Sequence, residues 1–261
     1  MTVSLPGFRA GAGEPLLLLH GLGMCWQVWE PVLPALTERF DVSAPDLPGF
    51  GTAPPLAGAT PSTEALADAI ERHLDDLGWE DAHVVGNSLG GHLALVLARR
   101  GRARSVTALS PGGMVQGWEK RWARTMLKTQ YHVSRLLRPL VEAGCRTGLG
   151  RTLLFGQVVG RPWLLTEEES LRMARVFGDS PAVLTTLEAT DHFESADLRG
   201  IDVPVTVAWG SRDVILLPRQ GPRFKRAMPH TRLVRLDGLG HTPMTDDPAT
   251  VAHVIVATAK N

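Results

Sequence analysis

The sequence of 261 residues lacks the features that mark several large classes of protein. It has only two cysteines, Cys25 and Cys145, which argues against a disulfide scaffold and favours a reducing compartment. Its 27 basic and 27 acidic residues balance, so no global positive field indicates binding to nucleic acid. No apolar run is long enough to span a membrane, and the first residues lack the apolar core of a signal peptide. These absences predict a cytoplasmic protein.

Motifs for metals and nucleotide cofactors are missing as well. The sequence contains no His-Glu-x-x-His pattern and no closely spaced cysteine pair of the kind that binds zinc. The segments Gly21-Leu22-Gly23 and Gly49-Phe50-Gly51 both lack the third glycine of a dinucleotide-binding loop. The sequence therefore implies no metal and no cofactor. Its 44% hydrophobic and 21% charged residues are ordinary for a globular protein.

What the chain does contain is an alternation of strand and helix patterns. Strand patterns lie at residues 15–20, 40–46, 82–85, 104–109, 203–210 and 231–236, and helical patterns at 62–77, 89–100, 218–227 and from about 247. The run PLLLLH at 15–20 is continuously apolar, as in a strand buried on both faces of a parallel sheet. We therefore predict an α/β fold with a doubly wound, mostly parallel sheet.

The alternation breaks between Pro111 and Gly200. Residues 112–199 contain helical patterns and no convincing strand, so we interpret them as a helical lid inserted into a core domain of residues 1–111 and 200–261. Trp118, Trp122 and Met126 recur there at helical spacing, which predicts an apolar face turned toward the core or a pocket.

The charge of this insertion leaves a second interpretation open. Nine lysines and arginines stand against two glutamates between residues 112 and 162. Charge of this kind most often faces water, but a basic amphipathic helix can also lie on an acidic membrane or partner. The sequence contains no signal for the oligomeric state.

The segment GNSLG at 86–90 is the strongest chemical signal. Ser88 lies where a β-branched run gives way to helical spacing, between Gly86 and Gly90. This is the Gly-x-Ser-x-Gly pattern of a nucleophile elbow, in which a tight, strained turn exposes the serine hydroxyl. The helix that starts at once directs free N–H groups toward a developing oxyanion. A plain Gly/Ser-rich turn is the alternative interpretation.

A serine nucleophile needs a base, and the base needs an acid that orients it. Of the nine histidines, only His20 and His241 directly follow predicted strands, at the sheet edge where catalytic groups collect. Asp213 follows the strand at 203–210 and is the candidate acid. Asp46 is its competitor, but we expect it to brace the LPGFG turn that follows it.

Five segments resemble, in order, the core blocks of the α/β-hydrolase fold family. They are LLLLHGLGMCWQVWEPVLPAL (16–36), DLPGFG (46–51), VVGNSLGGHLAL (84–95), VAWGSRDVILLP (207–218) and GLGHTPMTDDP (238–248). The chain is similar to the group of lidded esterases, carbon–carbon hydrolases and cofactor-free haloperoxidases. Residues 112–199 correspond to the lid of that group. The chain order Ser88, Asp213, His241 is also that of this family.

The resemblance implies catalytic roles for five residues. Ser88 would attack a carbonyl, His241 would carry the proton, and Asp213 would hold the tautomer of the imidazole. The backbone N–H groups of Leu22 and Leu89 would form the oxyanion hole.

A further set is implied for the substrate site. His20 would support the oxyanion loop rather than act as the base, and Gly21 would line the site beside it. Trp118, Trp122 and Met126 of the lid would contribute the apolar wall.

The most favoured reaction is hydrolysis of a carboxylic ester of a small, largely apolar substrate. Serine at position 88 argues against haloalkane dehalogenases and soluble epoxide hydrolases, which use aspartate there. Carbon–carbon hydrolases of ring-fission products commonly carry tryptophan after the catalytic histidine, where this chain has Thr242. That activity, cofactor-free haloperoxidation and a non-enzymatic small-molecule receptor stay open as alternatives.

Overall fold

The computed structural model describes residues 4–189 and 197–260, in which seven strands form one sheet. The strands are β1 (Gly7–Gly11), β2 (Glu14–Leu19), β3 (Phe40–Pro45), β4 (Ala82–Asn87), β5 (Ala103–Leu109), β6 (Val205–Gly210) and β7 (Arg232–Leu236). Their order is β1-β3-β2-β4-β5-β6-β7. β1 is antiparallel to β3, and the other neighbouring strands are parallel. The predicted α/β fold with a mostly parallel sheet is confirmed.

The helices follow the predicted alternation. They are α1 (Leu33–Thr37), α2 (Thr63–Asp76), α3 (Leu89–Arg99), α4 (Trp118–Leu136), α5 (Arg138–Cys145), α6 (Gly148–Phe155), α7 (Glu167–Asp179), α8 (Ala182–Ala189), α9 (Gly221–Ala227), α10 (Pro243–Asp246) and α11 (Pro248–Ala259). Ser62 caps α2, since its hydroxyl accepts the N–H of Ala65 at 3.2 Å. Gly78 follows the end of α2 with a φ of 73°. No helix within the described ranges is long and apolar enough to cross a membrane.

The edge strand β1 was not predicted. Its side chains alternate between exposed and half-buried, so it lacks the apolar run that marks the central strands. Gly11, at its end, has a φ of 96°, and a Cβ there would lie 2.1 Å from the carbonyl oxygen of Phe40. Arg9 pairs with Asp41 of β3 at 2.8 Å. Backbone pairing and glycine geometry, rather than burial, define this strand.

The central strand β2 contributes to two hydrophobic layers. Successive side chains of a strand point to opposite faces of the sheet. Leu17 and Leu19 accordingly belong to the layer that contains α2 and α3, while Leu16 and Leu18 belong to the layer that contains α1 and α11. All four leucines are fully buried. The apolar run of β2 is thus explained by burial on both faces.

Between β5 and β6 the chain forms α4 to α8, and we call residues 112–189 the helical segment. No strand occurs among its residues, all of which are described. Residues 190–196, which the predicted insertion also includes, lie outside the described residues. The division into a core of 1–111 and 200–261 and a lid of 112–199 stays a prediction.

A buried carboxylate anchors the helical segment to the rest of the chain. Glu119 of α4 is only 2% exposed and accepts hydrogen bonds from Arg219 at 2.6 Å and from Arg223 at 2.6 and 2.9 Å. Burial opposes ionisation, but the bonds from these guanidinium groups and from a backbone N–H outweigh it and lower the pKa of Glu119. The start of α4 is therefore fixed beside α9.

Candidate active site

The turn between β4 and α3 holds Ser88 in a strained conformation. Its φ is 56° and its ψ is −113°, a combination that non-glycine residues seldom adopt. A Cβ at Gly86 would lie 2.0 Å from the carbonyl oxygen of Gly90, and a Cβ at Gly90 would lie 2.1 Å from that of Leu19. Only glycine fits at either position. The Ser88 N–H donates to Leu109 at 3.0 Å, which holds the strained turn against β5.

Asp213 and His241 form a buried pair. Asp213 Oδ2 lies 2.7 Å from His241 Nδ1, and Asp213 Oδ1 accepts the N–H groups of Ile215 and Leu216 at 2.9 and 3.0 Å. The two residues are 2% and 4% exposed. Because Nδ1 is engaged by the carboxylate, Nε2 is the ring nitrogen left for proton transfer.

The sheet brings these loops together at one edge. Asp213 follows β6 and His241 follows β7, and the parallel pairing of these strands places both loops at their carboxyl ends. A Cβ at Gly210 would lie 2.0 Å from the carbonyl oxygen of Gly240. Glycine at the end of β6 therefore permits the His241 loop to pack directly on the Asp213 loop.

His20 supports the loop between β2 and α1. Its Nδ1 donates to the carbonyl of Gly21 at 2.8 Å, and its Nε2 accepts the N–H of Leu47 at 2.9 Å. Burial lowers the pKa of His20, more than the Gly21 bond and the charge of Asp46 raise it. The neutral imidazole that results is the form these two hydrogen bonds require. With both ring nitrogens occupied, His20 is a support of the loop.

Asp46 is committed to a turn, as expected. Its carboxylate accepts the N–H of Trp26 at 2.8 Å, and the N–H and hydroxyl of Thr52 at 2.8 and 3.0 Å. A Cβ at Gly51 would lie within 2.5 Å of this carboxylate. Asp46 thus braces the LPGFG turn, while Asp213 contacts the histidine.

The two backbone N–H groups predicted to form the oxyanion hole belong to residues beside Ser88. Leu89 is the first residue of α3, so its N–H has no partner within the helix. Among the backbone hydrogen bonds of the described residues, neither Leu22 nor Leu89 serves as a donor. The loop that carries Leu22 lies against Ser88, since a Cβ at Gly21 would be 3.3 Å from Cβ of Ser88.

Ser88 and His241 line one cavity, with a free volume of about 80 Å³. Gly21 and Leu22 line it as well. Most of its other walls are apolar and include Leu127, Phe155, Leu165, Met173, Phe177 and Ile215. The cavity therefore combines a serine, a histidine and apolar walls supplied largely by the helical segment.

Comparison with known proteins identifies the family. The profile of the family described as alpha/beta hydrolase fold matches residues 14–248. The chain belongs to the α/β-hydrolase fold family.

Individual members of this family resemble the chain over most of its length. It is 33% identical over 205 residues to epoxide hydrolase EphH of Mycobacterium tuberculosis, covering 75% of this chain and 94% of the relative. It is 32% identical over 261 residues to the pimeloyl-[acyl-carrier protein] methyl ester esterase of Methylococcus capsulatus, covering 94% of each chain. A thermophilic esterase from Thermogutta terrifontis superposes with a TM-score of 0.74 at 22% identity, covering 96% of this chain and 90% of the other. This α/β-hydrolase is a hydrolytic enzyme.

The structure does not bring the predicted apolar residues of α4 to Ser88. Trp118 and Trp122 are 52% and 44% exposed, and neither they nor Met126 line the cavity. Leu127 and Gln130 are the α4 residues that do. Helical spacing reveals that an apolar face exists but not which neighbour it meets. Met126 packs against the larger hydrophobic cluster, which is the other predicted alternative, whereas the predicted contact of Trp118 and Trp122 with the cavity is wrong.

The two tryptophans instead connect α4 to the segment between β6 and α9, which contains Asp213. The indole N–H of Trp122 donates to the carbonyl of Val214 at 2.7 Å. The guanidinium of Arg219 lies 4.7 Å from the centre of the Trp118 ring. Val214 directly follows Asp213, so these contacts hold the helical segment beside the site.

Sequence reasoning missed two polar residues that join parts of the site. Asn87 donates from Nδ2 to the carbonyl of His241 at 2.8 Å. The Asp246 carboxylate accepts the N–H groups of Gly160 and Gly240 at 2.8 and 2.7 Å. Both residues lie inside the segments that carry the family resemblance, but no spacing rule assigns either of them a partner.

Proposed function

We propose that this α/β-hydrolase is a serine esterase that cleaves carboxylic esters of small, largely apolar substrates through an acyl-enzyme. The observation that carries the proposal is the 2.7 Å pair of Asp213 Oδ2 and His241 Nδ1, in loops that share the cavity of Ser88. The name of the Methylococcus capsulatus relative supports an ester as the substrate class. A serine nucleophile suits acyl transfer, since its acyl ester is hydrolysed by water in a second step.

The proposed chemistry starts with addition of Ser88 Oγ to the ester carbonyl while its proton passes to Nε2 of His241. The oxyanion of the tetrahedral intermediate accepts hydrogen bonds from the N–H groups of Leu22 and Leu89. One such donor contributes about 2.7–4 kcal/mol to the stability of the transition state. His241 then gives the proton to the alkoxy oxygen, which leaves as the alcohol.

Hydrolysis of the acyl-enzyme repeats these steps with water. His241 removes a proton from the water that attacks the acyl carbonyl, and returns it to Ser88 Oγ as the acid leaves. Asp213 stabilises the imidazolium in both steps. The N–H groups of Ile215 and Leu216, which bind the other carboxylate oxygen, keep that oxygen in place.

In this proposal the helical segment acts as a lid. Leu127 of α4, Phe155 of α6 and Phe177 of α7 line the cavity. Removing one methylene of the substrate from water into such a site contributes roughly 0.8 kcal/mol. Apolar acyl groups are therefore favoured over polar ones of the same size.

Active-site labelling tests the nucleophile. A fluorophosphonate should modify Ser88, and Ser88→Ala should abolish both labelling and turnover of p-nitrophenyl acetate. Ser170→Ala, which changes a buried serine of α7 that does not line the cavity, is the matched control and should keep both. An adduct that mass spectrometry places on another serine would overturn the assignment.

Substrate choice tests the reaction. We expect p-nitrophenyl acetate and butyrate to give a burst followed by steady turnover. Epoxides and a ring-fission dienone are offered in parallel, because relatives and fold neighbours include an epoxide hydrolase and a meta-cleavage product hydrolase. Preferential turnover of either alternative would contradict esterase function. A single slow turnover of every ester would indicate a receptor.

A further inference from the structure

A second space adjoins the cavity of Ser88. It is a groove of about 340 Å³ lined by residues of α4, α5 and α6. Gln130 and Phe155 line both the groove and the cavity, and we call these two side chains the shared wall. The groove is thus adjacent to the candidate active site.

The free volume of the cavity is small compared with that of the groove. One water molecule needs about 10–15 Å³ of free volume, so a cavity of about 80 Å³ has room for several groups of the size of a water molecule. A longer chain attached to a carbonyl at Ser88 exceeds this free volume, and the neighbouring space across the shared wall is the groove. The groove, with about four times the free volume, lies directly there.

The lining of the groove is uncharged although its surroundings are strongly charged. Trp122, Met126, Val133, Val141 and Leu154 supply most of its apolar surface, and its remaining lining side chains are also uncharged. Residues 112–162, by contrast, carry nine lysines and arginines. A largely apolar surface of this kind suits an alkyl chain and offers no cationic partner for a carboxylate or phosphate.

One residue of the shared wall, Gln130, is hydrogen-bonded to a side chain that lines the groove. Gln157 Nε2 donates to Gln130 Oε1 at 2.7 Å and to the carbonyl of Leu154 at 3.3 Å. Both glutamines are half-buried, so water can replace their mutual hydrogen bond. Rotation of the two amides would open the wall beside Phe155.

We propose that the groove between α4 and α6 binds the distal part of a linear, uncharged acyl chain, reached from Ser88 past the Gln130–Gln157 pair. The inference deepens the proposed ester hydrolysis and rests on it. It adds medium-chain acyl esters to the substrates and assigns Trp122 and Met126 to the acyl tail rather than to the reacting ester group.

A bulky substitution in the groove tests the proposal. Thr129 is exposed on α4 and lines the groove but not the cavity, so Thr129→Trp should fill the groove without altering the site of reaction. Arg121→Trp introduces the same side chain at an exposed position of α4 outside both spaces and is the matched control. Gln157→Ala removes one partner of the wall.

The measurement is kcat/KM for p-nitrophenyl esters from acetate to decanoate. Burial of each added methylene should raise kcat/KM roughly fourfold until the groove is full. Thr129→Trp should keep acetate and butyrate within about twofold of wild type and lower decanoate at least about tenfold. Arg121→Trp should leave kcat/KM for both the short and the long esters unchanged. Gln157→Ala should raise kcat/KM for decanoate relative to butyrate. A wild-type ratio of decanoate to butyrate in Thr129→Trp would overturn the proposal.

A binding experiment separates failure of the groove from failure of the proposed function. Methyl decanoate is titrated into the Ser88→Ala protein, with and without Thr129→Trp, and methyl butyrate serves as the short-chain control. If the double variant binds methyl decanoate more weakly but methyl butyrate equally well, the groove binds the acyl chain, even if the wild-type protein hydrolyses no ester. Equal binding of decanoate in both proteins overturns the groove even if ester hydrolysis stands.

Discussion

The side-chain amide of Asn87 donates to the backbone carbonyl of His241 at 2.8 Å. The residue directly before Ser88 is thereby joined to His241, although the two lie 154 positions apart in the chain. The same nitrogen donates to the carbonyl of Leu109 at 3.1 Å, and the Asn87 side chain is completely buried. This amide therefore ties the His241 loop to the end of β4 and to β5.

Replacing this amide should impair catalysis. Asn87→Asp keeps the shape of the side chain but puts an acceptor where two carbonyl oxygens need a donor. We expect a loss of about 1–3 kcal/mol in the free energy of unfolding, measured in urea, because the buried carbonyls lose their partner. We also expect kcat for p-nitrophenyl acetate to fall at least about tenfold, because displacement of a catalytic group is costly. A variant that keeps wild-type kcat would show that the bond does not position His241.

The two aspartates at strand ends should differ in the same assay. Asp213→Asn should fold and lower kcat by about 10³–10⁴, since an amide favours the wrong tautomer of His241. Asp46→Asn makes the same change in a carboxylate whose hydrogen bonds, among the described residues, come from Trp26 and Thr52. It should lower the melting temperature and have a much smaller effect on kcat. The reverse pattern would mean that Asp46 is the acid.

Sequence reasoning succeeded where one local pattern determines the structure. The apolar run of β2 and the glycines around Ser88 predicted a buried strand and an elbow because sterics and burial allow few alternatives there. It failed where the outcome depends on a distant partner. The exposed strand β1 is defined by pairing with β3, and the tryptophans of α4 are positioned by Val214 and Arg219. Spacing within one helix contains no information about such contacts.

His73 should make stability depend on pH. Its ring nitrogens bond the hydroxyls of Ser4 and Ser43 at 2.8 and 2.9 Å, and burial lowers the pKa of His73 to about 4, more than the charge of Asp76 raises it. An unfolded histidine has a pKa of about 6.5, so between these values the unfolded chain binds a proton that the folded protein does not. The contribution of His73 to the free energy of unfolding should therefore decline by on the order of 3 kcal/mol as pH falls from about 6.5 to 4.

Urea unfolding of His73→Gln at several pH values measures this contribution. The variant should lose the part of the decline that His73 causes, because glutamine does not titrate, whereas the buried His20, whose pKa is also lowered, keeps its own part. His132→Gln, at an exposed position of α4, is the control and should retain the wild-type decline. An unchanged slope in His73→Gln would show that another group causes the loss of stability in acid.

Asp246 joins the His241 loop to the helical segment. Its replacement should therefore slow catalysis. Its Oδ2 accepts the N–H groups of Gly160 and of Gly240, which directly precedes His241. Its Oδ1 accepts the N–H of Arg161 at 2.8 Å. An amide in Asp246→Asn presents one acceptor in place of two, so at least one of these N–H groups loses its partner. We expect kcat for p-nitrophenyl acetate to fall about tenfold, because the His241 loop is no longer fixed.

Its neighbour Asp247 supplies the matched control. That carboxylate caps α11 by accepting the N–H and hydroxyl of Thr250 at 3.0 and 2.9 Å, so Asp247→Ala should lower stability by about 0.5–2 kcal/mol and leave kcat unchanged. Both variants are assayed well below their melting temperatures, so that loss of folded protein does not enter kcat. If Asp246→Asn and Asp247→Ala lose stability alike and both keep wild-type kcat, Asp246 serves the fold alone and does not position the base.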